Sequence, residues 1–366
     1  MVAAPKSSWG GQRVFIHLDV PQDHGTPCGH GKRSVGVLQR LPFQYDRFMS
    51  AWRFYSIFMI GATLAAQPRE REFSFEYRSG VPIATAGNSF RLWVPIPHDD
   101  DYQRITNVKV DSSAQYRIER DAVGNQILCV EATKAPSITM RFDCARKEHL
   151  RPTATSTGAG LLSDAERARW LAPDRMVPLD ENIRKWAGEV VAAAHAHTDL
   201  EMAHAIYDHV VATVKYDKTG KGWGRGDIYY ACDARRGNCT DFHAIFIGYA
   251  RAMGIPARFS IGFPLPSERG AGSIAGYHCW AEFYAKGIGW IPIDASEAAK
   301  NPSMREYFFG AHDENRVELT RGRDLILVPR QAGDPLNYFV YPYAEADGKP
   351  VEDLDQTFSW KDFKSH

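Results

Sequence analysis

Alternating hydrophobic and polar residues mark the first strongly patterned part of the chain. Phe73, Phe75 and Tyr77 alternate with polar neighbours, and a period of two is typical of a β-strand with one buried face. Further short stretches of this kind follow, and turn-forming residues such as the Gly-Asn pair at 124–125 separate them. The pattern predicts an antiparallel β-sandwich over residues 70–144.

The hydrophobic period then lengthens to that of an α-helix. Residues 145–178 are polar, small or proline-rich and predict a linker. Beyond them, Ile183, Trp186 and Val190 form the apolar stripe of a helix, and more helical stretches follow. The runs "ARFSIGF", "YHCWAEFY" and "GWIPID" then read as strands. A domain of helices followed by an antiparallel sheet is therefore predicted over residues 179–300.

The last part of the chain has a weaker pattern. Residues 301–366 are irregular with short β-like runs such as "DLILVP", and we expect an extension packed on the preceding domain. The predicted fold class is therefore α+β, with an N-terminal antiparallel β-sandwich followed by a second domain of helices and antiparallel sheet.

An apolar segment near the start of the chain has the layout of a secretory signal peptide. Arg53 precedes a mostly apolar run that ends in small residues near Ala66, and this run is shorter than the about 20 residues that span a bilayer. We interpret residues 49–66 as a signal peptide and residues 1–48 as a disordered leader or a mis-assigned start. An internal core helix is the alternative. Export predicts a periplasmic or secreted mature chain with no integral membrane segment.

Composition and charge exclude some classes of partner. The 366 residues are 44% hydrophobic, as in ordinary globular proteins, and 44 basic residues balance 44 acidic ones. This balance argues against nucleic acid and anionic membrane surfaces as partners. The six cysteines are scattered and contain no C-x-x-C pair, which argues against a disulfide scaffold and a zinc ribbon. Five would remain after export, so at least one thiol stays free or pairs between chains.

One of these cysteines stands at a predicted helix start. Asn238 is a favoured N-cap, Cys239 would be the first helical residue, and Gly254 ends the apolar stripe. The free N–H groups and positive dipole end of a helix favour a thiolate, which is the nucleophilic form of cysteine. Asp241 in the same first turn opposes this effect, so a histidine is needed for activation.

The best candidate base lies on a predicted hairpin. His278 and Asp294 stand on two strands that flank a turn centred on Lys286 or Gly287. Either centre gives an odd loop and brings imidazole and carboxylate onto the same face, directly or diagonally opposed. Cys239, His278 and Asp294 then have the roles of nucleophile, base and orienting acid. His243, one helical turn after the cysteine, is a weaker candidate for the base.

These stretches resemble a known family. "GNCTDFHAIFIGYARAMGIPARFSIGF", "GYHCWAEFY" and "GWIPIDASE" are similar to the transglutaminase-like superfamily, in particular its bacterial exported members. The similarity covers roughly residues 200–300 and matches the family's catalytic residues at Cys239, His278 and Asp294. It implies a papain-like core, in which the cysteine helix packs on an antiparallel sheet, and a preceding β-sandwich as in larger members.

The donors that would stabilise a transition-state oxyanion are less well defined. The backbone N–H of Cys239 is one natural donor, and a second is expected from the preceding loop. Trp223 and Tyr230 are candidates because animal transglutaminases use an aromatic side chain upstream of the cysteine. Their spacing differs here, and a packing role is the alternative.

The remaining cysteines and histidines have structural interpretations. We place Cys279 on the sheet face opposite His278 and consider two disulfides, Cys232 with Cys279 and Cys129 with Cys144. No metal or cofactor is expected. The spacing of Cys232, Cys239 and His243 fits no common zinc site, and His24, Cys28 and His30, which look like a metal ligand set, lie in the segment interpreted as a leader or mis-assigned start.

The sequence therefore predicts a cysteine hydrolase or acyltransferase. Cys239 would attack a carboxamide or peptide carbonyl through a thioester, with water or an amine as acceptor. The absence of a calcium-loop pattern favours water. A peptide or protein substrate is expected, cell-wall peptide included. The alternative is a non-catalytic binding or assembly module of the cell envelope that keeps the transglutaminase-like fold.

Overall fold

The computed structural model describes residues 67–152 and 161–363. The predicted leader over residues 1–48 and the predicted signal peptide over residues 49–66 lie outside them. In the described part of the chain, no helix is both long and apolar enough to cross a membrane.

The secondary structure follows the predicted change from strands to helices and back to strands. The strands are β1 (Glu70–Gly80), β2 (Phe90–Ile96), β3 (Gln103–Ser112), β4 (Tyr116–Arg120), β5 (Gln126–Ala132), β6 (Ser137–Lys147), β7 (His149–Leu150), β8 (Lys215–Tyr216), β9 (Arg236–Gly237), β10 (Ala257–Pro264), β11 (Ala271–Ser273), β12 (His278–Ala285), β13 (Gly289–Ile293), β14 (Ala311–His312), β15 (Arg316–Arg321), β16 (Tyr343–Ala346), β17 (Lys349–Pro350) and β18 (Asp355–Asp362). The α-helices are α1 (Asp164–Leu171), α2 (Glu181–Ala193), α3 (Asp199–Thr213), α4 (Ile228–Ala234), α5 (Cys239–Ala252), α6 (Ala295–Lys300) and α7 (Arg305–Phe308).

Two five-stranded antiparallel sheets combine N-terminal with C-terminal strands, and one of them also includes β11. Their orders are β11-β18-β1-β6-β3 and β17-β16-β2-β5-β4. The period-two side chains Phe73, Phe75 and Tyr77 of β1 are buried, as predicted, and share a hydrophobic cluster with Leu92 and Val94 of β2. The apolar faces of the two sheets thus form one continuous core.

Strands from the end of the chain complete both sheets. β18 pairs with β1 along eight residues, for example Phe75 with Trp360, and β16 pairs with β2, for example Trp93 with Tyr343. The pairs join segments about 250 to 290 residues apart in sequence. The residues beyond 300, which have only a weak pattern, are therefore integral to the N-terminal sheets.

The helices pack on a third antiparallel sheet of four strands, in the order β13-β12-β10-β15. Helix α5 lies in the middle of this assembly, in contact with α2, α3 and α4 and with β10 and β12. Every side chain from Cys239 to Arg251 is buried, so the helix is a core element. The predicted α+β class, with N-terminal antiparallel sheets followed by a core of helices on antiparallel sheet, is confirmed.

Candidate active site

Cys239 is the first residue of α5 and lies at the centre of the candidate site. Asn238 is the N-cap residue, and its side chain accepts a hydrogen bond from the backbone N–H of Thr240 at 2.9 Å. Cys239 is 2% exposed. The predicted helix start is confirmed, and it points free backbone N–H groups and the positive dipole end at the thiol.

Asp241 ties the preceding loop to this helix start. Its carboxylate accepts hydrogen bonds from the backbone N–H groups of Gly224 at 2.7 Å, Gly226 at 3.1 Å and Asn238 at 2.9 Å. Burial raises the pKa of Asp241, and these three backbone donors counteract that rise. The carboxylate is therefore committed to the backbone, and its role is to hold the loop and the helix start in place.

The hairpin β12–β13 brings His278 and Asp294 together. Its loop has three residues, 286–288, because Ala285 pairs with Gly289 across it. The turn is thus centred on Gly287, and Asp294 is the diagonal neighbour of His278 on the same face, one of the two predicted arrangements. His278 Nε2 lies 2.7 Å from Asp294 Oδ2.

Asp294 is fully buried, and four groups bind its carboxylate. Besides His278, the donors are Ser296 Oγ at 3.0 Å, the backbone N–H of Glu297 at 3.1 Å and Arg316 Nη1 at 3.2 Å. Burial favours the neutral acid, but the charges of His278 and Arg316 outweigh it and hold the pKa of Asp294 well below its usual range. Asp294 is therefore a carboxylate that fixes the imidazole ring.

Cys239 and His278 shift each other's pKa. Burial opposes ionisation of the thiol, but hydrogen bonds from Cys279 and His278, with the charge of His278, bring the pKa of Cys239 well below its usual value. Burial lowers the pKa of His278, and the charge and hydrogen bond of Asp294 overcome this and raise it to about 10. The pair is therefore a thiolate and an imidazolium at neutral pH.

Cys279 lies beside Cys239. Its sulfur is 3.7 Å from Thr240 Oγ1 and 3.7 Å from His243 Nδ1, both on α5, and it acts on the pKa of Cys239. Burial raises the pKa of Cys279 well above its usual value, so it is the thiol that donates. The sequence predicted that Cys279 lies on the sheet face opposite His278. Helix α5 covers that face, so the Cys279 thiol lies next to the start of α5.

Both disulfides considered from the sequence are wrong. All five cysteines in the described part of the chain are free thiols. Cys129 lies on β5 and Cys144 on β6, which belong to different sheets, and Cys232 contacts Tyr249 Oη at 3.5 Å. Cys279 takes part in the network around Cys239 instead.

His243 lies between Cys279 and Asp294. Its ring is fully buried, with Nδ1 facing Cys279 and Nε2 3.7 Å from Asp294 Oδ1. Burial lowers the pKa of His243 to about 4, so the ring is neutral. A neutral ring wedged between these two residues is suited to packing and orientation, and His278 is the better placed base.

Trp223 and Tyr230 are not joined to Cys239 by any hydrogen bond or ring contact found among the described residues. Trp223 is half-buried, and the ring of Tyr230 packs on the backbone of Gly222. Their predicted role as oxyanion donors stays a prediction. Sequence reasoning missed a third aromatic residue, Tyr277, although it directly precedes His278.

Tyr277 contacts both residues that flank Cys239 at the start of α5. Its hydroxyl lies 2.9 Å from Asn238 Nδ2 and 3.0 Å from Thr240 Oγ1, the residues on either side of Cys239. The C-terminal Tyr338 hydroxyl is 3.4 Å from the same oxygen. Tyr277 therefore connects the helix start, the hairpin strand and the C-terminal segment.

Two groups in the described part of the chain have metal-ligating side chains in mutual reach. One consists of His278, Asp294 and Glu297 and belongs to the site above. The other consists of His149, Glu282 and His312. The ligand set considered from the sequence, Cys232 with Cys239 and His243, is not one of these two groups. The other set considered, His24, Cys28 and His30, lies outside the described residues.

Comparison with known proteins identifies the class of this site. The family described as the transglutaminase-like superfamily matches residues 184–295, which include the helix start and both hairpin strands. The chain thus contains a domain of the transglutaminase-like superfamily, and the resemblance seen in the sequence is confirmed.

Two individual proteins extend the comparison to most of the chain. An uncharacterized protein of Haemophilus influenzae is 26% identical over 335 residues, which cover 80% of this chain and 89% of that protein. A crystal structure from Cytophaga hutchinsonii, described as that of a proposed cysteine protease, aligns with a TM-score of 0.57 at 15% identity and covers 82% of this chain and 93% of that one. At this identity the structural likeness establishes a shared fold.

Proposed function

We propose that the protein is a cysteine-dependent acyl-transfer enzyme whose catalytic residues are Cys239, His278 and Asp294. The observation that carries the proposal is the 2.7 Å contact of His278 Nε2 with the buried Asp294 carboxylate, in a site where His278 lowers the pKa of the Cys239 thiol at the start of α5. A nucleophile, a proton carrier and an orienting group in this order are what acyl transfer requires.

The reaction follows from the ionisation states. The Cys239 thiolate attacks a carboxamide or peptide carbonyl carbon, and the developing oxyanion is placed near the backbone N–H of the helix start. The His278 imidazolium gives its proton to the leaving ammonia or amine, and a thioester forms. His278 then takes a proton from the acceptor as it attacks the thioester, and free thiolate is restored. Asp294 stays ionised and holds the ring.

We propose water as the principal acceptor, which makes the protein a protease or amidase. Cys239 and His278 are both almost fully buried, so the site admits small acceptors more easily than a bulky protein lysine. The description of the Cytophaga hutchinsonii protein as a proposed cysteine protease agrees with this choice. Transamidation to a primary amine is the other outcome of the same thioester.

We propose a peptide or protein substrate, cell-wall peptide among the candidates, in the periplasm or outside the cell. The signal-peptide pattern over residues 49–66 supports this location. The proposed attack on a carbonyl needs Cys239 in its reduced form, and Cys239 has no disulfide partner among the described residues.

Mass spectrometry of the products distinguishes the outcomes. The protein is incubated with glutamine-containing peptides, with and without a primary amine, and the peptides are analysed by intact mass. Exchange of ammonia for water, or peptide cleavage, indicates hydrolysis, and an amine adduct indicates transamidation. Cys239→Ser abolishes both, whereas Cys232→Ser, a control at a half-buried thiol outside the site, keeps them. If wild type and Cys239→Ser give equal product, the enzyme proposal is wrong, and a non-catalytic envelope module is favoured.

A further inference from the structure

A second cluster of titratable side chains lies in the interior. Its members stand on three strands, whereas the proposed nucleophile stands on helix α5. His149 on β7, Glu282 on β12 and His312 on β14 are 3%, 2% and 0% exposed. One ligand atom from each lies within 4.8 Å of the other two. Three segments far apart in sequence therefore converge on one point.

The two histidines are cross-strand partners. β7 and β14 pair antiparallel with His149 opposite His312, and their rings meet edge to face at 5.8 Å between centroids. Directly opposed residues on an antiparallel pair present side chains to the same face. Tyr102 stacks on His149 at 3.5 Å and Trp280 packs against His312 at 5.8 Å, so both rings are held in place.

Each ring has a nitrogen without a partner. His312 Nε2 lies 2.9 Å from the carbonyl oxygen of Ile293, which makes it the N–H donor and leaves a lone pair on Nδ1. His312 Nδ1 and His149 Nε2 are buried and have no hydrogen-bond partner among the described residues. A ring whose second N–H donates to a backbone carbonyl is the usual arrangement of a metal-ligating histidine.

Glu282 supplies an oriented carboxylate. Oε1 lies 3.3 Å from His149 Nδ1, and Oε2 accepts a hydrogen bond from Arg258 Nε. One carboxylate oxygen is therefore fixed by Arg258, while the other faces His149.

We propose that His149, Glu282 and His312 bind one Zn²⁺ ion. Two imidazole nitrogens and one carboxylate oxygen are a donor set that zinc accepts, and they are poorly suited to calcium or magnesium, which take oxygen ligands. Water completes the tetrahedral coordination.

The site would connect the two halves of the fold. β7 follows β6 of the N-terminal sheets, β12 carries the candidate catalytic His278, and β14 follows the helices. Arg146 and Arg316 place positive charges near His149 and His312, and these charges oppose a divalent cation there. The coordination must outweigh this repulsion, so the expected zinc affinity is lower than that of a site without nearby arginines.

Metal analysis of the folded wild-type protein tests the proposal. The protein is stripped with EDTA, dialysed, reloaded with Zn²⁺, desalted and analysed by inductively coupled plasma mass spectrometry. We expect about one zinc per chain, and a rise in the unfolding midpoint of roughly 5–10 °C when zinc exceeds its Kd about 100-fold. A folded wild type that keeps no zinc and shows no midpoint shift would overturn the proposal.

Matched variants locate the ion. Glu282→Gln and His149→Gln should lose the zinc and its midpoint shift, whereas His98→Gln, at a largely buried histidine outside the cluster, should keep both. His278→Gln separates this cluster from the catalytic one, because zinc must remain bound when His278 is gone. Retention of zinc in His149→Gln, or its loss in His278→Gln, contradicts the assignment. None of these measurements depends on the activity proposed for Cys239.

Discussion

Arg316 Nη1 lies 3.2 Å from Asp294 Oδ2, the same oxygen that binds the imidazole of His278. Both side chains are buried, and the guanidinium also lies over the ring of Trp280. The arginine therefore compensates a charge that would otherwise be costly in the interior, and it fixes the oxygen that orients the proposed base.

Arg316→Gln should reduce both activity and stability. Loss of the buried cation leaves Asp294 undercompensated, with a cost of about 3–5 kcal/mol in unfolding free energy, and a misplaced imidazole should lower kcat/KM by roughly 10- to 100-fold. Arg71→Gln is the control, since Arg71 pairs with Asp362 in the N-terminal sheets and is equally buried. It should lose stability while kcat/KM of the folded fraction is unchanged. Equal kcat/KM in Arg316→Gln and wild type would contradict the positioning role.

The pH dependence of kcat/KM should be bell-shaped. Activity requires the Cys239 thiolate and the His278 imidazolium together. The acid limb falls as pH drops through the lowered pKa of Cys239, and the alkaline limb falls as pH rises through about 10, where His278 loses its proton. Rates measured from about pH 4 to about pH 11 check both limbs.

Iodoacetamide labelling supplies the control for this profile. In His278→Gln, Cys239 loses its charge partner, so its labelling should follow an ordinary thiol pKa of about 8.5. Identical labelling profiles in wild type and His278→Gln would show that His278 does not control the thiol.

Cys279→Ala should raise the pKa of Cys239. The neighbouring Cys279 thiol helps to lower the pKa of Cys239, and alanine keeps the packing of the first carbon while this donor is removed. We expect the midpoint of the pH profile for alkylation of Cys239 to move upward by about one pH unit, which corresponds to about one hydrogen bond. Cys232→Ala is the matched control and should leave the midpoint unchanged. A Cys279→Ala protein with the wild-type midpoint excludes this contribution.

Gly262→Ala should strongly destabilise the fold. A Cβ at this position would lie 1.8 Å from the carbonyl oxygen of Val317, where β10 and β15 change register. The backbones of β10 and β15 must move apart, and we expect the free energy of unfolding to fall by more than about 3 kcal/mol. Gly188→Ala on α2 meets no atom within 4 Å and should stabilise by up to about 1 kcal/mol. Urea unfolding measures both, and a near-neutral Gly262→Ala would mean that the strands separate easily.

Local signals in the sequence were sufficient for the central features of the site. The N-cap Asn238 and the following apolar stripe located the helix start, since capping depends on residues within one turn. The odd loop of the β12–β13 hairpin located His278 relative to Asp294, because strand register follows from turn length and the period of two. The resemblance to the transglutaminase-like superfamily rested on these same residues.

Other features depend on contacts between distant segments, which no local pattern specifies. Cys279 could be assigned to a face of its strand, but only the packing of α5 on that face placed its thiol beside Cys239. Arg316 and Tyr338 reach the site from the weakly patterned C-terminal part of the chain.

The sequence by itself determined the order of strands and helices, the helix start at Cys239 and the hairpin that carries His278 and Asp294, because short-range backbone and hydrophobic periodicities control them. The tertiary structure decided which sheets the last strands complete, which thiols stay apart and how His149 meets His312. Those outcomes depend on burial and close packing of residues up to about 300 positions apart, and local sequence has no signal for such pairs.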